Sequence, residues 1–347
     1  MPLVIVAAWS VSYLVLGLLW ASGGPGYPFD AGGEGVGNTL LDPLPAAAGG
    51  GALAGAALVA GVVAALAARG PLARPAAVVA VVAGAALAVL LPDVRIMMTA
   101  GYLPVMLVAV LSGQAEFSLI VSMLTWPTVN LLILMAAGVA LMALGTRTLL
   151  AGAQRAGGAE GAERAGGAEG AQRAGGVEGA LRAGRWAVAV AVAVPVVYAI
   201  TRVGWLLGIP VGISDDFLAS IASITPIGAG LATLGLLGAV LTLGLVRPWG
   251  EIWPRWVPFL RGRPVPARLP AYAALIVAMP ITSAGLMYVR KKLTGEQAGP
   301  PGAVDELGAW LPEMLWPLWG AALAVAGLAY LARRRDPATA IRPRRRP

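Results

Sequence analysis

Arg202 is a guanidinium set inside an otherwise apolar run, three residues before Trp205. A charge at that depth is costly unless it is paired or reaches back to the membrane surface. Asp215 and Asp216 follow the Gly208-Ile209-Pro210 break and could return to meet it. Two readings are open: an outward-facing anion or proton site built on Arg202 with these carboxylates, or a snorkelling Arg locked to an Asp near the outer interface. Asp30 stands 185 positions before Asp215. Two carboxylates at related places would attract a cation or exchange a proton. An Asp after a Gly/Pro turn is also a common turn former or helix cap. A second constellation is Arg247 to Pro258, where Trp249, Trp253, Arg255 and Trp256 alternate with proline. Proline stiffens such a loop, and Trp with Arg makes a plate suited to the lipid interface or to a protein partner.

Other chemistry is excluded by composition. The chain has no Cys and no His, which removes disulfides, thiolate and imidazole metal sites, haem ligation, Cys nucleophiles and His proton relays. No nucleophile-base pair, metal motif or cofactor motif is visible, so the sequence assigns no catalytic residue, metal ligand or cofactor.

The elements that position these residues are membrane spans. The chain is 58% hydrophobic and 12% charged, against roughly 25% charged for a soluble domain. A hydrocarbon core about 30 Å thick needs roughly 20 apolar residues per helix. Runs of that kind lie at Leu3 to Trp20, Ala46 to Ala68, Trp126 to Gly145, Trp186 to Ile209, Phe217 to Val246, Ala271 to Val289 and Ala309 to Ala332, with a shorter one at Ala76 to Leu91. Leu3 to Trp20 has no preceding Lys or Arg and no small-x-small cleavage pattern, so it reads as an uncleaved span. Pro92 to Ala115 is interrupted by Pro92, Asp93, Arg95, Gly101 and Pro104. It reads as a re-entrant, interfacial or folded outer segment; the competing reading is a ninth crossing.

The spans recur. Tyr13, Trp20, Gly23, Pro25 and Asp30 return as Tyr198, Trp205, Gly208, Pro210 and Asp215, each pair offset by 185. Trp126-Pro127 is answered by Trp316-Pro317. The expected fold is therefore an all-α polytopic bundle of about eight spans in two parallel four-helix repeats, residues 1–147 and 186–333. Between them, 148–185 carries a nine-residue Ala/Gly/Arg/Glu repeat from Ala153 to Gly179, expected to be a flexible cytoplasmic linker, the competing reading being a helix that docks to a partner, and 334–347 is expected to be a basic, disordered tail.

Arg residues mark the cytoplasmic side: Arg69 and Arg74, Arg147 to Arg185, Arg247 to Arg268, and Arg333 to Arg346. Both termini are then cytoplasmic, and the acidic segments around Asp30, Asp215 and Glu306 face outside. Arg290-Lys291-Lys292 is the exception, a basic cluster placed outside. The expected partners are the bilayer itself, anionic lipid at the cytoplasmic face and a protein partner at the Trp/Arg loop; the tail reads as topogenic, not as a nucleic-acid arm. Asp93, Arg95 and Glu313 are expected on the outer surface, Glu313 complementing a helix dipole. Asn130 is expected to bond across helices. Most of the eleven Trp lie near span ends, as an interfacial belt. Gly51 with Gly55, Ala80 with Gly84 and Gly320 with Ala324 have the small-x-x-x-small spacing that permits close helix approach.

The stretch Gly250-Glu251-Ile252-Trp253-Pro254-Arg255-Trp256-Val257-Pro258, continuing through Gly262, Val265-Pro266 and Ala284-Gly285-Leu286-Met287, resembles a pattern recurrent in uncharacterised multi-pass membrane proteins of actinobacteria. The loop Gly24-Pro25-Gly26-Tyr27-Pro28-Phe29 does too. The resemblance implies a bacterial plasma-membrane location and carries no activity. Three functions remain open from the sequence: a non-enzymatic membrane protein that binds or regulates a partner, a small transporter or channel with a polar site near Arg202, and a membrane-embedded enzyme.

Overall fold

Long runs of Ala, Leu and Val leave the backbone in lipid no partners but its own, so the chain folds into helices. A computed structural model describes residues 1–29, 38–69, 71–113, 116–160, 168–296 and 299–335. The α-helices are α1 Pro2–Ala21, α2 Ala46–Ala68, α3 Ala73–Ala85, α4 Val94–Leu111, α5 Phe117–Met123, α6 Trp126–Glu160, α7 Ala168–Leu206, α8 Asp215–Ser220, α9 Thr225–Leu243, α10 Arg268–Thr294, α11 Leu307–Met314 and α12 Trp316–Arg335. A π-helical turn, Ala86–Leu90, continues α3. Among the described residues, nine helical stretches are long and apolar enough to cross a membrane. The protein is an all-α polytopic bundle.

The chain divides into two compact units at Ala165/Gly166. In the first, α1 packs along α2, α3 along α6, α2 meets α3, and α1 meets α6. The seams run on glycine. A Cβ on Gly17 would strike the backbone of Gly50 and Ala54, and one on Gly84 would strike Gly138 and Met142. Of the spaced small residues, Gly84 and Gly320 do bring helices together, Gly320 against Ala278 and Thr282 of α10, while Gly51 and Gly55 face open space.

In the second unit α7 packs along α9, α10 along α12, and α12 along α7. Here the second helix stands apart: 17% of the apolar window of α9 is buried, against 33% for α2. The two units also end their first helix alike. Gly23 and Gly208 have φ of 88° and 78°. Gly23 N–H donates to Trp20 O at 3.1 Å and Gly24 N–H to Leu19 O at 2.8 Å; Gly208 N–H donates to Trp205 O at 3.1 Å and Ile209 N–H to Gly204 O at 2.8 Å. Glycine at the left-handed position lets the chain close over the last carbonyls of each helix.

The segment after Pro92 and the linker are both largely helical. α4 runs unbroken from an Asp93 cap through Pro104, and 12% of its window is buried; its length and hydropathy permit a crossing. Its Met, Leu and Val side chains sustain the helix once Asp93 has capped it. The linker is likewise helical to Glu160 and again from Ala168, because Ala, Glu, Gln, Arg and Leu are strong helix formers that outweigh its glycines. Residues 336–347 of the tail lie outside the described residues.

Candidate functional site

Arg202 lies in the last turns of α7, on the side that faces α11 and α9. The Gly208 cap turns the chain back, and Gly212, at φ 70°, lies against the backbone of Gly308, whose N–H donates to Gly212 O at 2.7 Å. Ser214 N–H donates to Glu306 Oε2 at 2.8 Å, and its hydroxyl donates to Glu306 Oε1. Trp205 Nε1–H donates to Val211 O at 3.0 Å. These contacts dock α11 beside the end of α7, and the register of its two turns carries Glu313 to Arg202.

The guanidinium is enclosed. Arg202 Nη2 donates to Glu313 Oε1, and Nη1 donates to Gly308 O at 3.1 Å and Thr201 Oγ1 at 3.2 Å. Its central carbon lies 4.1 Å from the Trp205 ring centre and 4.7 Å from that of Tyr198. Tyr198 in turn meets Trp316 edge-on at 5.6 Å. Arg202 is 7% exposed and Glu313 4%, so the two charges cancel inside protein. Glu313 Oε2 is buried with no hydrogen-bond partner among the described residues.

Asp215 and Asp216 do not join Arg202. They head α8 as exposed first-turn residues behind a Ser214 cap, whose Oγ accepts from Phe217 N–H at 3.3 Å. Their carboxylates complement the helix dipole there. Asp30 lies outside the described residues. Glu313, expected on the outer surface, is instead the partner of Arg202. The signal for it was available: Glu313 is a carboxylate inside an apolar run, the same feature that singles out Arg202.

At the position 185 residues before Arg202 stands Gly17, and the first unit fills that space with the α1–α2 seam. Polar groups there cluster elsewhere. Asp93 is fully buried, not on the outer surface; Arg95 Nη2 reaches Asp93 Oδ2 at 2.5 Å and Asp42 Oδ2 at 3.3 Å. Asp42 also accepts from the N–H groups of Asn38 and Thr39. Tyr13 Oη–H donates to Asn130 Oδ1 at 2.7 Å, the cross-helix bond expected of Asn130. Trp9, Tyr13, Trp20, Tyr27 and Phe29 form a ladder of ring contacts, with centres 5.2–6.2 Å apart. Trp9, Trp20, Trp205 and Trp316 are thus core residues, while Trp126, Trp186 and Trp256 are exposed.

The loop between α9 and α10 forms a finger. Trp253 N–H donates to Arg263 O and Gly262 N–H to Trp253 O, both at 3.0 Å, and Val265 N–H donates to Glu251 O at 2.8 Å. Its base is clamped to the end of α12. Glu251 meets Arg333 at 2.8 Å and Arg334 at 3.2 Å, and Tyr330 Oη–H donates to Gly250 O at 2.8 Å. Trp249 packs over Gly244, and Trp253 is half-buried in the pairing. Arg255 and Trp256 point outward with Phe259; Trp256 is 82% and Phe259 94% exposed. Phe259 has φ 64°, a left-handed conformation disfavoured for a bulky residue. The Glu251 clamp and Phe259 escaped sequence reasoning, the clamp because its halves are 82 residues apart.

Lys291 and Lys292 occupy the last turn of α10, where cations complement the dipole, and Lys292 lies 3.9 Å over the Trp310 ring. This local use accounts for a basic cluster on the expected outer side.

No protein-family model matches the chain, and neither a curated protein nor a solved structure shows significant similarity to it.

Proposed function

We propose that this is a non-enzymatic, multi-pass bacterial plasma-membrane protein, built from a duplicated four-span unit with both termini cytoplasmic, that works by engaging a protein partner through the finger at Trp249 to Val265. The observation that carries the reading is a contrast in exposure. The two charges deep in the spans, Arg202 and Glu313, are paired and enclosed, whereas the finger presents Arg255, Trp256 and Phe259 outward from a clamped base. Aromatic and Arg side chains on a stiff support are the residues that anchor partners. The duplication rests on the shared helix cap and the matching helix pairs. In this topology α4 and α5 lie at the outer face without adding a crossing.

A photo-crosslinker at position 256 in intact membranes tests it. A discrete protein adduct, lost when Phe259 is changed to Ser at unchanged abundance, is the expected result. Adducts to lipid alone would overturn the partner reading.

One observation favours a second reading, a transporter: the unpartnered Glu313 Oε2 is a buried carboxylate oxygen able to hold a proton or cation. Under it, reconstituted vesicles dissipate a pH gradient, and Glu313→Gln abolishes this without loss of protein. No dissipation by the unmodified chain excludes proton transport.

A further inference from the structure

Three Arg-rich segments of the second unit converge at one end: the start of the apolar part of α7, the finger base and the end of α12. Between α7, α12 and the residues following α9 lies a cleft of about 260 Å³. That is room for roughly eight waters, the scale of a polar lipid headgroup. Its lining is apolar at Leu181, Leu245 and Ala326, with the buried ring of Tyr330 beside them, and its more exposed edge carries Arg185 and Arg333. Arg333 shares the Glu251 carboxylate with Arg334. Arg185 is exposed at the rim and Arg333 partly exposed, so two guanidinium groups border the opening.

The geometry points to a binding site for one anionic phospholipid, the phosphate held between Arg185 and Arg333 and the upper acyl chain laid on Leu181, Leu245 and Ala326. An apolar floor beneath cationic donors matches an amphiphile better than a free anion, which would have no use for the hydrocarbon wall. Basic pockets between spanning helices recognise lipid headgroups in this way. Trp186, exposed beside Arg185, is the type of residue that settles at headgroup level, which places the rim where phosphates lie. The site does not depend on what the finger binds.

The test is native mass spectrometry of the full chain in detergent, titrated with phosphatidylglycerol, with phosphatidylcholine of the same chains, and with phosphatidylglycerol in the presence of inorganic phosphate. The expected result is one saturable phosphatidylglycerol adduct, weak phosphatidylcholine retention and no competition from millimolar phosphate. Arg185→Gln, which leaves the Glu251 clamp intact, should weaken phosphatidylglycerol binding about fivefold. Leu181→Trp, filling the cleft with a larger side chain at a half-buried position, should remove the saturable adduct while the thermal midpoint stays unchanged. Equal retention of both lipids, unaltered binding in Arg185→Gln, or displacement by inorganic phosphate would each overturn the assignment. If Leu181→Trp lowers the thermal midpoint, Arg185→Gln alone decides. Lipid adducts alone from the crosslinker at position 256, with phosphatidylglycerol binding intact, would refute the proposed function and leave this site standing.

Discussion

Breaking the Arg202–Glu313 pair from either side should give unequal damage. Removing one partner of a buried ion pair costs about 3–5 kcal/mol. With Arg202→Met, the buried Glu313 carboxylate loses its cation while Oε2 has no partner among the described residues, and the Gly308 carbonyl loses its Arg202 donor. With Glu313→Leu, Arg202 keeps Gly308 O, Thr201 Oγ1 and the faces of Trp205 and Tyr198, where stacking on desolvated rings offers about 1–2 kcal/mol. We therefore expect about 5 kcal/mol for Arg202→Met and about 3 kcal/mol for Glu313→Leu. The double variant, with no orphaned charge, should lose no more than about 1–2 kcal/mol. At roughly 2–4 °C per kcal/mol, the single changes should lower the thermal midpoint by roughly 10–20 °C and 6–12 °C. Thermal unfolding of the purified chain in detergent, with membrane abundance as a second measure, reads all three. Additive single effects in the double variant would refute the reasoning, because two groups in direct contact must couple.

Three further outcomes follow from the packing and the caps. Gly23→Ala and Gly208→Ala should each cost about 1–2 kcal/mol, since both force a Cβ into left-handed backbone; unequal thermal shifts would show that the two turns are not energetically alike. Gly84→Val should reduce membrane abundance, because its side chain meets the backbone of Gly138 and Met142 and overpacking costs about 1–3 kcal/mol; unchanged abundance in a quantitative blot would deny that the α3–α6 seam is tight. The chain has no native Cys, so single cysteines at Leu40 and Ser112 report cleanly: an impermeant maleimide should label both from outside. Labelling from opposite sides would make α4 a crossing.

Much of the architecture was legible because a bilayer leaves few options: a long apolar run must be a helix, and Arg marks its flanks. The recurrence of Gly23 as Gly208 was legible too, and the structure gives its physical reason, a left-handed turn at the end of each helix. Arg202 was conspicuous as a lone charge, but its partner was not. Proximity in sequence suggested Asp215 and Asp216, while the actual neighbour is 111 residues away, delivered by the contact of Gly212 with Gly308. Backbone packing between distant glycines leaves no local pattern to read. The same limit hid the Glu251 clamp. The linker's helices are hidden for another reason: its glycines read as breaks, although the Ala, Glu, Gln and Arg around them sustain a helix.

The sparse burial of α9 has a mechanical consequence. Among the described residues the helix is held at two places, along α7 and at its far end, where Leu243, Leu245 and Val246 pack into the core that α10 and α12 share. The end of α9 leads into Leu245 and Val246, which wall the cleft. A push on that end is therefore carried to the wall of the cleft, while the rest of the apolar length of α9 is left to the lipid.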